Sequence, residues 1–201
     1  MKRKIVIATM NDHKASEIRA LIGDRYDVMT QSSFSIPSVP ETGKTFEENA
    51  LIKADKVSQK TGLLTLADDS GLEVDLLDGI PGIHSARYAG ANATDDENNN
   101  KLLMELESFK DERITARFKS VIVLTDPLKG SKNIFHGNWE GQIIFNPRGK
   151  NGFGYDPIFY IEKLERTAAE LTQNEKNKLS HRARAMRKVA NYLAKENSES
   201  E

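Results

Sequence analysis

The order of strand and helix signals constrains this chain most. Ile5-Val6-Ile7-Ala8 is a short continuous apolar run, the pattern of a buried strand. Helical spacing follows from about Asp12, where Ala15, Ile18 and Leu21-Ile22 recur three and four apart until Gly23. Thr45 with Glu48 forms a capping box. It opens a helix to about Thr61, with Phe46, Ala50, Ala54 and Val57 on one face and Gly62 as the stop. Residues 63–67 then read as a strand that ends at Asp68-Asp69-Ser70-Gly71. Thr94 with Glu97 is a second capping box, opening a helix through about Glu107. Residues 114–125 read as a long strand, residues 133–145 as its hairpin partner, and residues 174 to about 195 as one last helix. Strand, helix and strand followed by a hairpin imply an α/β fold with a mixed sheet. The 201 residues suit one domain over 1–195, followed by a disordered acidic tail over 196–201.

Composition removes several classes of function. The chain has no cysteine, which excludes disulfides, thiolate zinc sites and a cysteine nucleophile. Lys and Arg number 29 against 30 Asp and Glu, a net charge of -1, where a protein of the nucleic-acid backbone carries a positive surplus. No apolar run approaches the ~20 residues of a membrane span. MKRKIVIAT has too short an apolar stretch for a signal peptide, so a cytoplasmic protein is expected, with neither nucleic acid nor membrane as partner. His13, His84, His136 and His181 show no HxH or HExxH spacing for zinc.

Five places hold residue types that do chemistry. The turn from Thr9 to Lys14 passes from strand to helix, where free N–H groups bind anions, although Asn11 and Asp12 also suit a plain N-cap. It is neither a GxxxxGK[ST] nor a GxGxxG loop. Asp68 and Asp69 follow an apolar strand. Such a pair calls for a positive partner, of which magnesium is the usual one, while capping of the Ser70-Gly71 turn is the plainer alternative. If the strand continues, the two carboxylates point to opposite faces and do different jobs. Glu41 precedes a capped helix, where a carboxylate reaches a metal, and Asn49 and Lys53 share a face at i and i+4; a surface acid and a surface lysine are the alternative. Phe153, between Gly152 and Gly154 in a run that continues Tyr155-Asp156-Pro157, is placed to stack on a planar ligand or to serve as a core aromatic. The fifth place is Lys176 with Ser180-His181-Arg182. Arg182 lies on the apolar line of the last helix with Leu179, Met186, Val189 and Leu193, so it faces the protein body and needs a partner there. Arg184, Arg187 and Lys188 lie off that line, on a solvated face.

Together these places are more specific than any one. ADDSGLEVDLLDGIPGIHSARYAG (67–90) resembles the signature of the inosine/xanthosine triphosphate pyrophosphatase, or Ham1-like, family of non-canonical purine NTP pyrophosphatases. ETGKTFEENALIKA (41–54), GFGYDPIF (152–159) and SHR (180–182) match its other motifs in order, so the resemblance covers about residues 4–193. The first motif departs from the usual pattern: Thr9, Asn11 and Lys14 hold their places, but Met10 and His13 stand where glycines are common. Met10 is expected to narrow the loop or force a different φ.

The resemblance implies an elongated α/β fold with a central mixed sheet flanked by helices, two lobes with the site in the cleft between them, and a homodimer. It implies Mg2+-dependent cleavage of ITP, dITP and XTP to monophosphate and pyrophosphate, which removes them from the nucleotide pool. By resemblance, Asp69 is the catalytic base and a metal ligand, and Glu41 the second metal ligand. Thr9, Asn11, Lys14 and Lys53 are expected to hold the triphosphate, and Phe153, Asp156, His181 and Arg182 the base. Ser70, Gly154, Tyr155 and Lys176 complete the substrate-binding set, and Asp68 supports it from behind. Arg182→Ala is expected to lose ITP turnover with the fold intact. The alternatives are a catalytically weak nucleotide-binding module and a Maf-like pyrophosphatase with another base preference.

Overall fold

The structure, a computed structural model, describes residues 2–198. Among the described residues seven strands run β1 (Arg3–Ile7), β2 (Tyr26–Thr30), β3 (Leu64–Val74), β4 (Ile114–Asp126), β5 (Ser131–Ile143), β6 (Phe159–Ile161) and β7 (Arg166–Thr167). They form one sheet in the order β2-β1-β3-β4-β5-β6-β7. β1 pairs parallel with β2 and with β3, Ile5 lying opposite Val28 and Leu64. β5, β6 and β7 pair antiparallel. The sheet is therefore mixed, and the helices are α1 (Asp12–Ile22), α2 (Phe46–Thr61), α3 (Asp95–Leu106), α4 (Gln173–Leu179) and α5 (His181–Ser198).

The chain divides into two compact units. The first comprises residues 2–69, Ser120–Gly137 and 181–198. Its core joins Ile5 and Ile7 of β1 to Ile18 of α1, Leu66, Ile122, and Met186 and Val189 of α5. Ile5, Val6 and Ile7 are all fully buried, as a strand covered on both faces must be. α2 starts and stops where its sequence says: Thr45 accepts from the Glu48 N–H, and Gly62 closes it in the left-handed region at φ 66°. Gly137 of β5 lies under the start of α5. A Cβ there would stand 2.7 Å from the Ala185 nitrogen and overlap the His181 carbonyl, so only glycine lets helix and strand approach this closely.

The second unit comprises Ser70–Lys119 and Asn138–Ser180. Leu102 and Leu106 of α3 pack with Leu72, Ile114, Trp139 and Phe159. Phe159 sits between Phe118 (ring centroids 4.5 Å apart) and Trp139 (5.4 Å). Both halves of the Thr94/Glu97 capping box form at the start of α3.

β2, β6 and β7 are not among the strands expected from the sequence, and two expected elements take a different course. β3 does not end at Ala67 but runs on through Asp68-Asp69-Ser70-Gly71 to Val74. β4 is its neighbour in the sheet, and Ser85 Oγ adds to its hold, accepting from the Leu72 N–H at 2.9 Å and donating to the Gly82 carbonyl at 2.6 Å. The expected last helix is two helices, because Ser180 adopts an extended backbone (ψ 160°) between α4 and α5. Of the tail expected from Glu196, Glu196–Ser198 continue α5, and residues 199–201 lie outside the described residues. Among the described residues no helix is long and apolar enough to cross a membrane.

Candidate active site

β3 continues as a regular strand, so its adjacent carboxylates face opposite ways. Asp68 is fully buried. Its Oδ1 accepts from the Ser120 hydroxyl at 2.6 Å, and its Oδ2 lies 3.1 Å from Arg182 Nη2 and 3.4 Å from Lys14 Nζ. Burial pushes this carboxyl up, but Arg182, Lys14 and Ser120 outweigh it and hold the group far below the usual carboxylate range. Arg182, itself 1% exposed, also forms an ion pair with Glu17 of α1. The guanidinium thus has two buried carboxylate partners, and its charge is correspondingly secure. Lys14 is pushed down by burial, which outweighs the pull of Asp68; the Lys53 and Arg182 charges add to the fall.

Asp69 serves the other face. Its Oδ1 accepts from Lys53 Nζ at 2.7 Å, and the same ammonium donates to Glu41 Oε1 at 2.7 Å and to the Asp68 carbonyl at 2.9 Å. One lysine therefore stands between two carboxylates. Burial opposes its charge, but the two acids prevail and raise its pKa. Asp69 must share that cation. Burial raises its carboxyl to about 6, Lys53 and Lys14 opposing and the negative Glu41 assisting. Asn49, one turn before Lys53 on α2, accepts the Gly43 N–H at 2.8 Å through Oδ1 and so pins the segment that carries Glu41. Two adjacent acids thus have opposite properties: Asp68 is a fixed anion, and Asp69 titrates close to neutrality.

The turn before α1 is built from the residues expected to meet phosphate. Thr9 Oγ1 accepts from the Asn11 N–H at 3.1 Å, and Asn11 Oδ1 caps α1 by accepting from the Lys14 N–H at 3.0 Å. Met10 is half exposed and is not among the described residues with positive φ, so the loop takes a side chain there without strain. His181, the first residue of α5, is buried.

In the second unit Phe153 is half-buried. Its N–H donates to Asp156 Oδ2 at 3.0 Å, Asp156 forms an ion pair with Lys176, and Lys176 Nζ lies 4.8 Å from the Phe153 ring centroid. Gly152 has φ 76°, and a Cβ on it would collide with the Asp156 carboxylate. Tyr155 is turned into the core, its hydroxyl donating to the Ser85 carbonyl at 2.9 Å. Ser70 is half-buried on β3.

Glu17, Ser120 and the hold of Asn49 on Gly43 lie outside the set of residues expected from the sequence. Glu17 had a visible signal: it sits three residues after Lys14 and between Ala15 and Ile18 on the buried side of α1. Ser120 had none, because its partner lies 52 residues away.

Among the described residues no group of three or more His, Cys, Asp or Glu could hold a metal. Glu41 and Asp69 nevertheless suit Mg2+. They are two hard oxygen donors already sharing one cation, the Lys53 ammonium, and Mg2+ is ordinarily held by one or two carboxylates with water and phosphate completing its shell.

The pattern of the Ham1 family matches residues 5–192. A dITP/XTP pyrophosphatase of Vibrio cholerae is 50% identical over 192 residues, 93% of this chain and 94% of that protein. A second, from Thermoanaerobacter pseudethanolicus, is 48% identical over 96% of this chain and 97% of its own length. Among solved structures, a HAM1 protein from Coxiella burnetii superimposes with a TM-score of 0.88 at 46% identity, over 96% of this chain and 99% of that one. The Staphylococcus aureus Ham1 protein gives 0.87 at 41% identity, over 96% and 100%. The family pattern spans nearly the whole chain, and the fold agrees with these solved structures: the chain belongs to the Ham1 family.

Proposed function

We propose that this protein hydrolyses dITP, XTP and ITP between the α and β phosphates, giving the monophosphate and pyrophosphate. The observation that carries the reading is the arrangement of Asp69, Lys53 and Glu41, in which one buried carboxylate shares its cation and is raised to about 6. Relatives at 50% and 48% identity named dITP/XTP pyrophosphatases support the substrate class.

Water attacks the α phosphorus. The bond from that phosphorus to the bridging oxygen breaks, and pyrophosphate leaves with the negative charge. Such a reaction asks for positioning and charge neutralisation more than for covalent chemistry. Asp69 accepts the proton from the attacking water, the role that the resemblance implies for it. Lys53 orients Asp69 and meets phosphate charge, and Lys14, paired with Asp68, meets phosphate charge from α1. Thr9 and Asn11 keep the turn before α1 in shape. Glu41 and Asp69 would hold Mg2+, which when bound neutralises phosphate charge. Phe153 stacks on the purine, with Asp156 and Lys176 fixing its loop. His181 is assigned by resemblance to the edge of the base, where a donor accepts a 6-oxo purine and rejects adenine. The resemblance also supports a homodimer acting in the cytoplasm on small-molecule nucleotides.

Phosphorus NMR of a dITP digest with Mg2+ tests the bond assignment. Deoxyinosine monophosphate and pyrophosphate in equal amounts are expected. The diphosphate with orthophosphate would contradict it.

A further inference from the structure

We propose that Asn99 and Asp95 are positioning residues that grip Gly154, and through it hold Phe153 in place for the base. This rests on the reading above that Phe153 takes the purine.

Asp95 and Asn99 lie one turn apart on α3 and so share a face. Asp95 Oδ2 accepts the Gly154 N–H at 2.6 Å, and Asn99 Nδ2 donates to the Gly154 carbonyl at 3.0 Å. Both polar groups of one residue are therefore held by one helix. Gly154 sits at φ 64°, in the left-handed region. The helix end that does the gripping is itself fixed, by the Thr94/Glu97 capping box and by Asn98, whose Oδ1 accepts the Ala89 N–H at 2.8 Å.

The Asn99 side chain carries a second sign of this role. It is 6% exposed, and its Oδ1 has no hydrogen-bond partner among the described residues. The carbonyl of Gly154 dictates that orientation, because only the Nδ2 end can donate to it. An apolar side chain of the same size would fill the space without burying an unsatisfied acceptor, so packing alone does not account for asparagine here. On the other side of Gly154, Phe153 is tied by its N–H to Asp156 and lies against Lys176. The grip therefore fixes the main chain one residue from the ring that meets the base.

Asn99→Ala and the exposed-site variant Asp95→Ala test this. Hydrogen exchange followed by mass spectrometry should show residues 152–156 exchanging about tenfold faster in both, with β4 unchanged, and the KM for dITP should rise about fivefold to tenfold with kcat nearly constant, the effect of one lost hydrogen bond. If Asn99 acts through Phe153, the double variant Asn99→Ala/Phe153→Ala has the KM of Phe153→Ala alone. Unchanged exchange in both variants, or additive effects on KM, would overturn the proposal. If Phe153→Ala by itself leaves KM unchanged, the assignment of the base falls, while the exchange rates still decide whether the grip exists.

Discussion

Asp69→Asn is expected to lower pyrophosphate release from dITP by about 10³-fold, within the range lost with a general base, while the fold persists. Asparagine keeps the shape of the side chain and still accepts from Lys53, but it does not take up a proton from water. Lys53 retains Glu41 as a counter-ion at 2.7 Å, so no buried ammonium is left alone. Stability should hold or rise. An acid whose native pKa lies above its unfolded value keeps its proton more tightly when folded, so its ionisation opposes folding at neutral pH. Turnover within tenfold of the parent would remove Asp69 from the chemistry, and a fall in Tm of several degrees would assign the lost activity to structure instead.

Arg182→Ala has the opposite signature. The arginine is 1% exposed and paired with Glu17 and Asp68, both buried. Breaking a buried ion pair by removing one partner costs about 3–5 kcal/mol. For a chain of this size that corresponds to a fall in Tm on the order of 10 °C. The expectation that came with the resemblance, lost turnover with an intact fold, is therefore replaced by destabilisation first. Adding Glu17→Gln should recover part of the loss by removing one of the two buried carboxylates that lose Arg182. Thermal unfolding of the single and double variants measures both effects. A Tm within about 2 °C of the parent in Arg182→Ala would contradict the buried network.

Local signals in the sequence were readable where a local cause sets the structure. Thr45 with Glu48 and Gly62 bounded α2, and Thr94 with Glu97 opened α3, because caps act within one turn. The phase of the last helix placed Arg182 inside, and the strand period separated Asp68 from Asp69. Long-range causes hid the rest. Asp, Ser and Gly are poor strand residues, so β3 looked finished at Ala67; its continuation rests on distant partners, β4 as its hydrogen-bonded neighbour in the sheet and Ser85, whose Oγ accepts the Leu72 N–H. The break at Ser180 was masked because the apolar stripe of α5 runs on from Leu179. Edge strand β2 is only five residues long and carries Asp27 and Thr30 in a weak strand pattern. In the site, the lysines and carboxylates were visible as residue types, but Glu17, Ser120 and Asn99 earn their roles from partners 165, 52 and 55 residues away.

Initial rates of pyrophosphate release from dITP, XTP, dGTP and dATP, each with Mg2+ and with EDTA, test the central claim most directly. Fast release from dITP and XTP, slow release from dGTP and dATP, and loss of all activity in EDTA are the predicted result. Equal rates on all four nucleotides, or release that persists in EDTA, would contradict it.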